Sequence, residues 1–320
     1  MVYDIVLDDL PVRSLESTPV ALGLSRWGEG RYLGPAVLAL DAEHDEFVRL
    51  PLDPSRHGEM LALAHDGRHL LVRGPTDDIR TRFVVGIYTL GTGDLRFYDD
   101  GPDGADYVAS LSPDGRDIAT LVCADNEDHV ATWTDDPYSS LAAVSLIDVS
   151  TGDRRRIWTG PAGGWGAEST IRWSPDGAHI AVNYLTWIDE IDDSDDATVV
   201  IERDGTLVDH IADSMIPQSN GAWLDDTELA IIDTHSDTTE NLSVVDVRTG
   251  SRRTVGGVRS LINAVLDDRL IMIDTSVTDR YRLASYRFDG TDEQPFITVP
   301  PRLHLFDIAP MLLAAQPRRS

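Results

Sequence analysis

One short pattern returns along this chain of 320 residues: a β-rich run, an Asp-Gly-like pair, two residues, then an aliphatic pair. It reads HDGRHLL at His65–Leu71, SPDGRDIA at Ser112–Ala119 and SPDGAHIA at Ser174–Ala181. Weaker copies are LDDTELA from Leu224, LDDRLI from Leu266, FDIAPML from Phe306 and GEGRYL from Gly28. Asp-Gly between apolar runs favours a tight hairpin, because Gly tolerates positive φ and Asp bonds the local backbone. A second element alternates with the first: an apolar run at period two ending in Asp, a turn, and a polar strand. VSLIDVSTGDRRRIW (Val144–Trp158) and LSVVDVRTGSRRTV (Leu242–Val255) are its clearest forms. Looser ones start at Val37, Gly86, Val199 and Ala284, and one, YDIVLDDLPVRSL, spans Tyr3–Leu15. Period-two alternation marks strands, and no segment sustains a helical period.

Seven inner and seven outer hairpins are thus expected. A four-stranded sheet cannot bury both faces alone, whereas a ring of such sheets buries them against one another. The expected fold is therefore all-β: a seven-bladed β-propeller of four-stranded antiparallel blades at roughly 46 residues each, with six blades as the alternative. The whole chain, residues 1–320, forms one domain on this reading. Its blades fall near 20–52, 59–98, 107–158, 169–210, 221–255 and 262–298, and the last joins 303–316 with 2–16. In that last module the amino-terminal strands complete the final blade and seal the ring, hiding two edge strands. Trp173 and Trp223, just before inner turns, are expected to pack between blades.

The strings LSPDGRDIAT and RWSPDGAHIAVNY, each followed by a strand of the IDVSTG type, resemble the WD40-like (PD40) repeats of TolB-type propellers. The resemblance implies the propeller fold. It implies a task only loosely, since the family serves as docking scaffold, as a gate on serine peptidases and in some enzymes.

Composition narrows the partners. The chain has 55 acidic and 27 basic residues, a net charge of −28, and every fixed cation is Arg. Such a surface repels nucleic acid and anionic lipid. No apolar run approaches the length of about 20 residues that crosses a bilayer. A lone cysteine, Cys123, gives neither an internal disulfide nor a zinc cluster. With no basic-then-apolar start, a monomeric cytoplasmic protein is expected.

In a propeller the loops joining strands two and three, and blade to blade, share one face. Here that face takes the long segments: Cys123–Ser140, Leu185–Asp196, Asp99–Asp106 and Thr159–Glu168. Long loops on a rigid scaffold are where binding usually sits. They interleave Trp133, Tyr138, Trp165, Tyr184 and Trp187 with Asp135, Asp136, Asp189, Asp192 and Asp193. Aromatic anchors among steering carboxylates suit a non-enzymatic scaffold that binds a protein or peptide bearing a basic patch. The alternative is a propeller enzyme or metal-dependent small-molecule binder at the channel mouth. Asp233, His235 and Asp274, at or just past the ends of second strands, are its candidate ligands. No Gly-x-Ser-x-Gly elbow or His-Glu-x-x-His motif occurs, and no EF-hand spacing. No resident cofactor is therefore expected, and divalent cations are expected to bind only weakly.

Overall fold

The computed structural model describes residues 3–4, 9–12, 20–28, 31–41, 46–50, 59–64, 66, 68–75, 83–90, 92–98, 106–124, 141–161, 170–188, 193–217, 222–233, 240–258, 261–266, 269–274, 281–287, 291–299 and 303–308. Apart from short turns and bends, these residues are strands. The first is β1 (Tyr3–Asp4), followed by β2 (Val20–Gly28), β3 (Arg31–Asp41) and β4 (Glu46–Arg49). Next come β5 (Glu59–Leu63), β6 (His69–Pro75), β7 (Phe83–Thr89) and β8 (Leu95–Phe97). The third group is β9 (Asp106–Leu111), β10 (Asp117–Ala124), β11 (Leu141–Asp148) and β12 (Arg154–Pro161). Then follow β13 (Thr170–Trp173), β14 (His179–Ile188), β15 (Asp193–Glu202) and β16 (Leu207–Ala212). β17 (Ser214–Met215), β18 (Glu228–Asp233), β19 (Glu240–Asp246) and β20 (Ser251–Val258) form the next set. The chain ends with β21 (Leu261–Leu266), β22 (Arg269–Asp274), β23 (Tyr281–Arg287), β24 (Gln294–Val299) and β25 (Leu303–Ile308).

These strands make six sheets among the described residues. Four are antiparallel meanders of four consecutive strands: β5–β8, β9–β12, β13–β16 and β17–β20. The two remaining sheets involve the chain ends. β25 pairs antiparallel with β2, giving the order β25-β2-β3-β4, while β1 adds in parallel to the outside of β24. β25 lies beside β5 and β21, β5 beside β9, and β9 beside β13.

The strands assigned to a shared seventh module are therefore divided between two other sheets. Leu303–Ile308 supplies the inner strand of the first sheet, and Tyr3–Asp4 lies on the outer edge of the last. The string GEGRYL, expected as an inner turn, joins the second and third strands of the first sheet instead. Its glycines specify a turn, but which strands a turn joins is settled by pairing over long range. The other strong repeats fall where expected: the Asp-Gly strings join β5 to β6, β9 to β10 and β13 to β14.

Alternation puts apolar side chains on both faces of each sheet, and the core is a series of layers between neighbours. Ala62, Leu71, Val85 and Ile87 of the second sheet meet Ala109, Leu111, Ile118 and Ile147 of the third. Ala119, Leu121, Val144 and Leu146 of the third meet Ile171, Trp173, Val182 and Val199 of the fourth. Ala181, Val200 and Ile211 continue to Trp223, Leu229, Ile231 and Val245 of the fifth. Both tryptophans do pack between sheets. Trp173 Nε1 donates to the Ser110 carbonyl of the sheet before it (3.1 Å), and Trp223 Nε1 to that of Arg172 (3.3 Å).

Candidate docking face

The ends of every second strand and the starts of every third lie at one edge of the molecule's sheets. Among the described residues the fourth sheet carries a long projection at this edge. Its inner strand stops at the Thr170↔Asn183 pair and its outer strand at Ala197↔Ala212. β14 and β15 continue alone through Leu185↔Asp196, Thr186↔Asp195, Trp187↔Ser194 and Ile188↔Asp193. The segment expected as a loop over Leu185–Asp196 is thus mostly a two-stranded ribbon, with Trp187 paired to Ser194 and Asp193 to Ile188 near its tip. The loop signal, a run of aspartates, misleads because strand pairing is made by the backbone and tolerates polar residues. Trp133, Asp135, Asp136, Tyr138, Trp165, Asp189, Asp192 and His235 lie outside the described residues.

The foot of the ribbon is built, not solvated. Tyr184 is 3% exposed and packs edge-on to Trp158, with ring centroids 5.7 Å apart. It belongs to the layer between the third and fourth sheets, so its expected place as a rim anchor is corrected to a core one. Burial pushes its hydroxyl above the ordinary tyrosine range. Trp158 also lies over Gly160, where an added Cβ would come within 2.4 Å of the indole. Beside this, Thr198 Oγ1 donates to the Ser214 carbonyl (3.1 Å), stitching the fourth sheet to the fifth. Asn183 Nδ2 reaches Asp196 Oδ1 at 3.5 Å, the limit of a hydrogen bond.

Asp233 and Asp274 hold equivalent positions, each the last residue of its sheet's second strand, paired with Asn241 and Arg282. The Asp233 carboxylate is already engaged. It pairs with the Arg252 guanidinium and accepts from Ser243 Oγ (3.0 Å). These partners lie on the third and fourth strands of the same sheet, so Asp233 ties strands together rather than facing a channel as a free ligand. Arg252 was not singled out from sequence, although the RR pair of the outer strand carries it. Among the described residues no three His, Cys, Asp or Glu side chains gather as a metal-holding group. No helix of the described residues is long and apolar enough to cross a membrane.

The opposite edge carries the Asp-Gly turns. Ser112 Oγ donates to Asp114 (2.7 Å) and accepts from the Asp117 amide (2.9 Å), and Gly115 adopts φ +71°. Ser174, Asp176, His179 and Gly177 repeat this arrangement in the next sheet. Burial alone would raise the Asp114 carboxyl, but hydrogen bonds from Ser112, the Arg116 amide and Arg203 hold it below the ordinary range. Arg203 reaches back from the fourth sheet to Asp114 (3.2 Å) and Asp117, with its guanidinium 5.6 Å from the Trp173 ring centroid. In the outer turn, the Ser150 hydroxyl and Thr151 amide hold Asp148 down at about 2. All of these contacts are made within the scaffold, and they leave this edge short and regular.

No family model matches this chain, and no curated protein matches it. Solved structures do. TolB from Acinetobacter baumannii is similar over 91% of this chain and 67% of its own, at 13% identity and a TM-score of 0.54. A chain of a nidogen/laminin complex is similar over 90% of this chain and 97% of its own, at 13% identity and TM-score 0.53. Oligogalacturonate lyase in complex with manganese covers 82% of this chain and 70% of its own, again at 13% and 0.53. Identities this low speak for the fold alone, and on that level the Ser-Pro-Asp-Gly strings were a true guide: the chain has the TolB-like β-propeller fold.

Proposed function

We propose that the six sheets are the blades of a closed, monomeric propeller, with β25 as the inner clasp, and that this ring is a non-enzymatic docking platform. The partner is a protein or peptide with a basic patch, and the contact face is the edge from which the β14–β15 ribbon projects. The ribbon is the observation that carries the reading. It extends beyond the packed part of its sheet, and its strands contain Trp187, Asp193, Asp195 and Asp196. There β14 and β15 pair with each other beyond the last pairs of the inner and outer strands, and long projections on a rigid scaffold are where binding usually sits. Trp133, Tyr138, Trp165, Asp135, Asp136, Asp189 and Asp192 belong to the same reading by their place in the sequence. The net charge of −28 favours a cationic partner and disfavours nucleic acid and anionic membranes. With one cysteine the chain suits a reducing compartment, and we place it in the cytoplasm.

The fold does not choose among tasks. One similar chain comes from a nidogen/laminin complex and another from a lyase bound to manganese. What weighs against the metal reading is the engagement of Asp233 by Arg252 and Ser243, since a carboxylate neutralised by a guanidinium is a poor ligand. The test is affinity capture followed by mass spectrometry at low and high salt. A basic partner should be retained at low salt, weaken steeply as salt rises, and be lost in Trp133→Ala/Trp187→Ala. Capture that ignores both salt and the two tryptophans would overturn the platform reading. A rise in Tm with calcium or zinc that disappears in Asp233→Ala would favour the metal alternative.

A further inference from the structure

The first residues of the chain touch two different sheets. Tyr3 and Asp4 pair in parallel with Ile297 and Thr298 on the outer edge of β24. Pro11 and Val12 lie against the first sheet: the Arg49 amide donates to the Pro11 carbonyl (2.9 Å), and Val12 forms a parallel bridge with Arg49. The two footholds are only seven residues apart in sequence, yet one is on the last sheet and the other on the first. These are the same sheets whose inner strands, β21 and β25, lie side by side.

The edge under the first foothold differs from every other outer edge. An exposed outer strand is a template for pairing with another chain, and charged side chains are one common guard. β4 carries Glu46 and Arg49, β8 Arg96, β12 Arg154, Arg155 and Arg156, β16 Asp209, and β20 Arg252 and Arg253. β24, Gln-Pro-Phe-Ile-Thr-Val, carries no charge. Pro295 interrupts pairing near its start, but Phe296–Val299 has no such protection. Tyr3 and Asp4 cover the middle of that stretch.

We propose that the amino-terminal segment acts as a strap through its two footholds, Tyr3–Asp4 on the last sheet and Pro11–Val12 on the first, and that the β24 edge under Tyr3–Asp4, within Phe296–Val299, is a latent pairing surface for a second copy of this chain. A second copy fits because two such edges are identical, uncharged and able to pair antiparallel about a twofold axis. The strap thus does two separable things: it holds the junction shut and it keeps the chain monomeric.

Deleting residues 1–12 separates them. The truncated protein should melt several degrees lower than the full chain and should dimerise with rising concentration by light scattering. Ile297→Arg in the truncated background should restore the monomer without restoring Tm, because it guards the edge but does not rebuild the strap. A truncated protein that keeps both its Tm and its monomeric state overturns the proposal. So does dimerisation that Ile297→Arg leaves unchanged. Should the truncated chain fail to fold, the full chain decides through Asp4→Cys with Thr298→Cys in a Cys123→Ser background. Residues paired across adjacent strands lie within disulfide range, so the bond should form on oxidation and raise Tm. Failure to cross-link, or a cross-link without a Tm gain, overturns it.

Discussion

Single aspartates carry much of the local order in this protein. Asp66, Asp114, Asp148, Asp176 and Asp225 each accept backbone amides two or three residues ahead, fixing hairpin turns at the ends of strands. All five carboxyls lie below their ordinary value, Asp148 at about 2. A depressed carboxyl pKa means the unfolded chain takes up protons first. The stabilisation is complete above the ordinary value of 3.8 and is lost as pH falls through the folded values, toward 2 for Asp148. The midpoint of urea denaturation should therefore be flat above roughly pH 5 and fall steadily below it. Relief of self-repulsion, as the net charge of −28 is neutralised, acts the other way. Asp148→Asn keeps an acceptor and removes the charge, so it should flatten the acid limb by its own share. An unchanged slope would remove Asp148 from the account. Arg203 is the residue most exposed to a substitution test. Arg203→Ala loses Asp114, Asp117 and the Trp173 ring, and should cost about 1–3 kcal/mol by chemical denaturation. Arg203→Lys, which keeps the charge and loses the fork, should fall between.

Between sheets, close approach decides what a position tolerates. Gly205 has φ +96°, and a Cβ there would sit 1.9 Å from the Ile157 carbonyl of the neighbouring sheet. Gly115 has φ +71° and nothing within 4 Å. Gly115→Ala should therefore cost only the left-handed backbone penalty of about 1–2 kcal/mol. Gly205→Ala should cost clearly more, and equal losses would mean the two sheets do not meet as described. Trp173→Ala, which empties the layer between the third and fourth sheets, should lose about 3–5 kcal/mol. These elements were largely legible in the sequence. Asp-Gly pairs and period-two runs are local signals, and they located the turns and most strands of the four middle sheets; β17 (Ser214–Met215), which opens the fifth sheet, lies ahead of the expected 221–255. What they could not specify was which sheet owns a strand. Leu303–Ile308 and Tyr3–Asp4 fall in other sheets than expected because their partners lie hundreds of residues away, and the local Gly28–Leu33 turn joins second to third strand because β25 takes the inner place beside β2. The Leu185–Asp196 ribbon was hidden for a related reason: its β15 arm, Asp193–Asp196, is wholly polar and has no apolar alternation to announce a strand. Tyr184 was read as a rim residue because a tyrosine beside a long acidic segment looks the same whether its ring faces a partner or Trp158.

At the scale of the whole molecule, β1 and β25 are the described strands that pair out of sequence order. The first sheet lacks its inner strand until β25 arrives, so deletion of residues 303–320 leaves β2 with an unpaired inner edge. The truncated protein should melt far below the full chain and have a larger hydrodynamic radius. A compact, equally stable product would argue that β25 is dispensable. The effect should exceed that of removing residues 1–12, because an inner strand sits among three neighbours while the strap touches two edges.

The inner clasp also sets an order of events during synthesis. β2, β3 and β4 are synthesised before β5 to β24, yet β25, the strand that completes their sheet, follows all of these. The four middle sheets draw only on consecutive strands and are free to form as they appear. Birth order and completion order are therefore opposite for the first sheet, whose β2 keeps one side bare until β25 has been made.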